Sequence, residues 1–219
     1  MNRLLIFDLD GTLIDSAQDY TFAVNRILSE HGHPSLTKQD IVFGLGNGLR
    51  ALLHRYFPEI KMEDQAFLKM EAQFLKYYEE ICLTHAQFYP GALEFLRSWE
   101  GPLALVTNKN THPTYKILNH YDLGQNFWKA IHCYDTFPEK KPHPRPLLEA
   151  IKVAGLHPSQ AVMIGDGLPD MMAAQAAGVK SIAVRFGYTE WSELQKFNPS
   201  ASLFSYTELP SVIESLNPS

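Results

Sequence analysis

The chain has 219 residues, of which 45% are hydrophobic, 12% aromatic and 20% charged. That length predicts one or two domains with core enough to fold without disulfides or a structural metal, and the composition excludes a disordered or collagen-like chain. Nineteen Lys+Arg against 24 Asp+Glu give a formal charge of −5 with no long block of like charge, which argues against a nucleic-acid groove or a polybasic membrane patch.

Leu4-Leu5-Ile6-Phe7 is a continuous apolar run ending at Asp8, the pattern of a strand covered on both faces in a parallel sheet. Ser16 and Asp19 are entry residues for a helix over 20–31, and Gly32 can stop it. A glycine-rich loop over 44–50 leads into a helix over 48–57 with Asn47 at its cap. Phe67, Met70, Phe74, Tyr77 and Ile81 recur every three or four residues, as one apolar helix face does. The stretch 91–99 reads as a crossover helix into a second strand at 103–106. A helix over 111–121 and a weaker strand over 130–133 follow. Then come a helix over 146–154 closed by Gly155, a strand over 161–164, a helix over 169–177 closed by Gly178, and a strand over 181–184. The alternation predicts an α/β fold with a Rossmann-like parallel sheet.

One connection is too long. A parallel crossover needs a dozen or so residues, yet the whole stretch from Asp10 to Leu103 separates the first two strands. The surplus is helical in pattern and predicts an inserted lid. The expected organisation is an α/β core of 1–15 and 90–219 and a helical cap of 16–89, with joints near Asp15 and Pro90. Cys82 and Cys133 stand far apart in apolar stretches without a Cys-x-x-Cys pair and read as buried small hydrophobes. No apolar run approaches the ~20 residues of a membrane helix, and acids as early as Asp8 and Asp10 do not fit a signal peptide. The default expectation is a cytoplasmic protein, monomer or homodimer, that binds neither nucleic acid nor membrane.

Open parallel sheets bind ligands beyond the carboxyl ends of their strands. The first strand delivers Asp8-Leu9-Asp10-Gly11-Thr12. Residues two apart face one side, and Gly11 lets the backbone approach a ligand. Two such carboxylates need a cation, and oxygen donors suit Mg²⁺; a neutralised carboxylate can then attack phosphorus. The bland alternative is two solvated turn aspartates. The second strand ends in Thr107-Asn108-Lys109, a phosphate-binding corner or an ordinary helix cap. In Lys140-Lys141-Pro142-His143-Pro144, Lys141 can point inward as a fixed charge for phosphate, or be one of an exposed pair. The fourth strand ends in Gly165-Asp166-Gly167-Leu168-Pro169-Asp170, which offers Asp166 as a metal ligand and Asp170 as a brace for the site or the lysine. Each signal is modest, but all four fall at strand ends in one domain. His143 is the one histidine expected to face the site.

In this order the motifs resemble the haloacid dehalogenase-like superfamily, and the likeness covers nearly the whole chain. The resemblance implies that Asp8 is the nucleophile and Asp10 the general acid/base. It implies that Thr107 and Lys141 hold the phosphoryl oxygens with Gly11 and Asn108 beside them, and that Asp8, the Asp10 carbonyl and Asp166 bind Mg²⁺ with Asp170 in support. Dehalogenating members lack the second aspartate, so Asp10 favours phosphoryl transfer, which needs mainly positioning and charge neutralisation. Within the superfamily the chain is most similar to bacterial phosphoglycolate phosphatases, through Asp15-Ser16-Ala17, Gly44-Leu45-Gly46-Asn47-Gly48, the Lys140–Pro144 run and Gly187-Tyr188. It departs from them at Gln18, where proline is frequent, and at Gly167, where serine is usual. The resemblance implies a Mg²⁺-dependent phosphatase acting on a small phosphorylated metabolite, with Gly46, Asn47 and Arg50 of the cap loop touching the substrate or else forming a plain hinge. The rival enzyme is a phosphomutase of the β-phosphoglucomutase type, which carries Arg and Ser after the loop glycine. A non-catalytic phospho-accepting or phosphate-binding domain is the rival from another class.

Overall fold

The structure, a computed structural model, describes residues 3–45 and 48–216. In chain order, β1 (Leu4–Phe7) and the short β2 (Ile14–Asp15) lead into four helices: α1 (Ala17–Glu30), α2 (Lys38–Leu45), α3 (Leu49–Tyr56) and α4 (Gln65–Ile81). The chain leaves them through β3 (Gln87–Phe88) and α5 (Ala92–Ser98). There follow β4 (Leu103–Val106), α6 (Thr111–His120), β5 (Ala130–His132), α7 (Arg145–Val153), β6 (Ala161–Gly165) and α8 (Leu168–Ala177). The chain closes with β7 (Lys180–Val184), α9 (Trp191–Leu194), β8 (Ala201–Leu203) and α10 (Leu209–Ser215).

Six strands form one parallel sheet in the order β5-β4-β1-β6-β7-β8. Every residue of β1 is fully buried, and the alternation of its side chains shows why. Leu5 and Phe7 join Phe95, Leu96 and Ile117 on one face. Leu4 and Ile6 join Leu147, Ile151 and Ala173 on the other. A strand sandwiched this way must be apolar throughout. The chain moves outward from β1 to β4 and β5, then returns to β6 on the opposite side. That reversal opens a crevice at the carboxyl end of β1, where Asp8 begins. All five expected strands are present. The edge strand β8 was not expected, because Ala201-Ser202-Leu203 is too short and too polar to stand out as an apolar run.

The helices α1–α4 lie between β2 and β3, in the stretch where the cap is expected, and are called the cap. β2 and β3 pair antiparallel, Ile14 with Phe88 and Asp15 with Gln87, so the passages into and out of the cap run side by side. Tyr20 of α1 packs on Phe74 and Tyr78 of α4, with ring centroids 5.7 and 4.4 Å apart. Helix α1 starts at Ala17, three residues before the expected 20. Ser16 makes no side-chain cap bond; its hydroxyl goes to Asp10 instead. Asp19, the other expected entry residue, is fully buried and accepts from the backbone N–H groups of His85 and Ala86. Gly48, at a φ of 85° open to glycine, precedes α3; Asn47, the expected cap, lies with Gly46 outside the described residues. Among the described residues no helix is long and apolar enough to cross a membrane.

Candidate active site

Asp8 follows β1 directly, and its N–H donates to the Ile164 carbonyl of the neighbouring β6 at 3.0 Å. Lys141 Nζ lies 3.0 Å from Asp8 Oδ1 and 2.5 Å from Asp170 Oδ1. The lysine side chain is 1% exposed, and the Lys141–Pro142 peptide is cis. Asn108 Nδ2 donates to the Lys141 carbonyl at 2.9 Å, so the loop after β4 fastens the loop that carries the lysine. Thr107 is held by its own N–H to the His132 carbonyl at 2.9 Å, and its Oγ1 accepts from the Lys109 N–H at 3.2 Å.

Asp166 ends β6. Thr12 Oγ1 donates to its Oδ1 at 2.7 Å and the Tyr188 N–H to its Oδ2 at 2.7 Å. Gly11 and Gly187 close over this carboxylate. A Cβ at position 11 would fall 2.2 Å from Asp166 Oδ2, and one at 187 would fall 2.2 Å from Asp166 Cβ, so only glycine fits at either place. Asp170, in the first turn of α8, accepts from the Gly167 N–H at 2.9 Å.

Among the described residues, Asp8, Asp166 and Asp170 each offer a carboxylate oxygen within 4.8 Å of the others. Three hard oxygen donors against one lysine suit Mg²⁺, and the titration of the cluster agrees. Burial, then the charge of Asp170, push Asp8 up to about 7, although Lys141 pulls it down. Burial, then Asp170 and Asp8, push Asp166 well above the usual carboxylate range. Burial works against the Lys141 ammonium, yet Asp170 and Asp8 outweigh it and raise its pKa. The site thus lacks positive charge, which is the condition a bound cation relieves.

The expected residues Asp8, Asp10, Thr107, Asn108, Lys141, Asp166 and Asp170 line one pocket. Leu45, Gly48 and Leu49 of the cap also border it. Asp170 stands beside the expected Asp8 and Asp166 in the carboxylate cluster, and the Asp10 side chain, of which only the carbonyl was expected at a metal, turns to Lys109 and Ser16. Arg50 does not reach the pocket. Its guanidinium donates to the Met62 carbonyl, lies 3.6 Å from Glu71 and sits over the Phe67 ring, so it is engaged within the cap. His143 is exposed, and its Nδ1 accepts from the Arg145 N–H at 3.1 Å; the proline-bounded loop turns Lys141 inward and leaves the histidine outside. Cys82 and Cys133 are free and buried, as expected. Motif reading missed Thr12, the Tyr188 N–H and Lys109 as parts of the site. Lys109 carried a signal, a basic residue directly after Thr107-Asn108, but its partners are remote in sequence.

Fold and site define an α/β enzyme with a helical cap and an acidic centre faced by a buried lysine. The haloacid dehalogenase-like hydrolase family matches the chain over residues 5–184, and the chain belongs to that family. It is 31% identical over 217 residues to the phosphoglycolate phosphatase of Nitrosococcus oceani, with 96% of each chain covered. It is 35% identical over 207 residues to that of Pseudomonas putida, covering 90% of this chain and 75% of the relative. A solved structure from Haemophilus somnus, described as a predicted phosphoglycolate phosphatase, superposes with a TM-score of 0.87 at 27% identity, covering 97% of this chain and 98% of the other. The chain is thus a hydrolase of the phosphatase class.

Proposed function

We propose that this phosphatase hydrolyses a small phosphomonoester, 2-phosphoglycolate by preference, in the cytoplasm and through a phosphoryl group carried on Asp8. The observation that supports the reading is the convergence of Asp8, Asp10, Thr107, Lys141 and Asp166 on one pocket. A carboxylate oxygen of Asp8 attacks phosphorus, the ester P–O bond breaks, and the departing oxygen takes a proton from Asp10. Water then attacks the phosphoryl phosphorus and gives a proton to Asp10. The bond to Asp8 breaks, releasing inorganic phosphate and restoring the carboxylate. Thr107, Asn108 and Lys141 hold the phosphoryl oxygens; Gly11 admits the substrate close to the backbone; Asp170 braces Lys141. Asp8 and Asp166 would hold Mg²⁺ together with the Asp10 carbonyl or Asp170. When bound, the ion supplies positive charge against the carboxylates and the phosphoryl group. The cap over 16–89 acts as a lid that excludes water.

The test is phosphate release with Mg²⁺ across 2-phosphoglycolate, sugar phosphates, nucleotides and pyrophosphate, with Asp8→Asn as the blank. Selective turnover of 2-phosphoglycolate, abolished in Asp8→Asn, is the expected outcome. Near-normal turnover by Asp8→Asn would overturn the covalent route. Uniform turnover of the whole panel would overturn the substrate preference.

A further inference from the structure

Two lysines lie buried at this site, each with a side chain 1% exposed. Lys141 faces Asp8. Lys109 faces Asp10, and its other partners come from the cap. Its Nζ lies 3.0 Å from both Asp10 carboxylate oxygens. It donates to the Tyr78 hydroxyl at 2.6 Å and stands 3.3 Å from the Tyr20 hydroxyl. The ammonium lies 4.3 Å from the Tyr78 ring centroid and 4.6 Å from that of Tyr20, on the hydroxyl side of both rings. Tyr78 belongs to α4 and Tyr20 to α1, and burial pushes both hydroxyls well above their ordinary pKa, so they remain neutral phenols. Two phenol oxygens therefore define where the ammonium rests.

The consequence falls on Asp10. A carboxylate gripped at both oxygens by one ammonium has its plane fixed, and Ser16 Oγ adds a third contact at 2.5 Å. Proton transfer to a departing oxygen requires one carboxyl oxygen within hydrogen-bond reach and correctly aimed. A carboxylate free to rotate would meet that condition only part of the time.

We propose that Lys109 is a positioning residue for Asp10, set in place by Tyr78, and that it acts on protonation of the leaving oxygen. The assignment rests on the reading of Asp10 as the proton donor. A lysine that merely tied the cap to the sheet would change stability alone, without regard to the leaving group.

The experiment compares kcat/KM for 2-phosphoglycolate, whose alkoxide must be protonated to depart, with that for p-nitrophenyl phosphate, whose phenolate departs without help. Asp10→Asn is the reference, and thermal unfolding establishes that each variant is folded. The alkyl-to-aryl ratio should fall about a hundredfold in Asp10→Asn. It should fall roughly tenfold or more in Lys109→Met and several-fold in Tyr78→Phe, which removes one hydroxyl and keeps the ring. Equal losses on both substrates in Lys109→Met and Tyr78→Phe, with Asp10→Asn still discriminating, overturn the positioning role and leave the role of Asp10 standing. An unchanged ratio in Asp10→Asn overturns the reading of Asp10, and this proposal with it. Should Lys109→Met fail to fold, the ratio in Tyr78→Phe decides.

Discussion

The carboxylate of Asp166 is closed in by two glycines, and the fit leaves no atom to spare. A methyl group at position 187 would meet Asp166 Cβ at 2.2 Å and the Gly11 carbonyl oxygen at 2.5 Å. The first is tied to β6 and the second is backbone, so neither gives way like the tip of a long side chain. Gly187→Ala should therefore displace Asp166 and weaken Mg²⁺ binding about 10–100-fold. Mg²⁺ titration of phosphate release measures this, and an unchanged half-saturation point would show that the loop yields. Protons compete for the same site. Asp8 is raised from 3.8 to about 7, by burial first and Asp170 second, so the metal-free fold holds this proton more tightly than the unfolded chain does. That stabilisation is complete below about pH 4 and is lost as pH rises through 7. Mg²⁺ should accordingly raise Tm more at pH 8 than at pH 5.5. Differential scanning fluorimetry with and without the ion decides; equal increments at the two pH values would contradict the charge balance described here.

At the scale of elements, the junction between cap and sheet depends on a buried acid. Asp19 sits in the first turns of α1 and accepts from the backbone N–H groups of His85 and Ala86, and from His85 Nδ1 at 2.8 Å. It joins the start of the cap to the segment that leaves it. Asp19→Ala strands two N–H groups, which costs about 2–4 kcal/mol and should lower Tm by roughly 5–15 °C in a chain this long. Asp19→Asn, which keeps one acceptor, should lose less; identical losses in a thermal melt would mean that the hydrogen bonds are not what Asp19 contributes. This junction also marks where sequence reading stops. Strands β1, β4 and β6 were legible because a strand covered on both faces is written as four or five consecutive apolar residues, and β7 because Ile182-Ala183-Val184 follow Ser181 in the same way. The motif residues were legible because Asp8, Thr107 and Asp166 follow such strands within two positions. Asp19, Ser16 and Lys109 were not, since their roles depend on partners brought together by folding. Asp19 reads locally as a helix-entry residue, yet the N–H groups that donate to it lie at the far end of the cap. Arg50 reads as a cap-loop cation free to meet an anion, but Met62 and Glu71 engage it first.

For the whole molecule the question is whether cap and sheet behave as one unit or two. One apolar cluster holds Leu5, Phe7 and Leu105 of the sheet together with Tyr20, Phe74 and Tyr78 of the cap. Lys109 of the sheet side reaches across the same boundary to the Tyr78 and Tyr20 hydroxyls of the cap. A shared core of this kind makes unfolding of either part expose apolar surface on the other, at about 25 cal/mol per Å². The expected result is a single thermal transition, although chains beyond about 150 residues commonly populate intermediates. The sequence supplies the probes. All three tryptophans, Trp99, Trp128 and Trp191, lie outside 16–89, whereas α1–α4 carry a large share of the helix. Tryptophan fluorescence thus follows the sheet side, and circular dichroism at 222 nm gives heavy weight to the cap. Coincident curves, with equal calorimetric and van't Hoff enthalpies, follow from the continuous core. A circular dichroism loss that precedes the fluorescence change would mean that the cap melts alone. In that case Tyr20 and Tyr78 would release Lys109 before the sheet unfolds, and activity toward alkyl phosphates would disappear along the first curve.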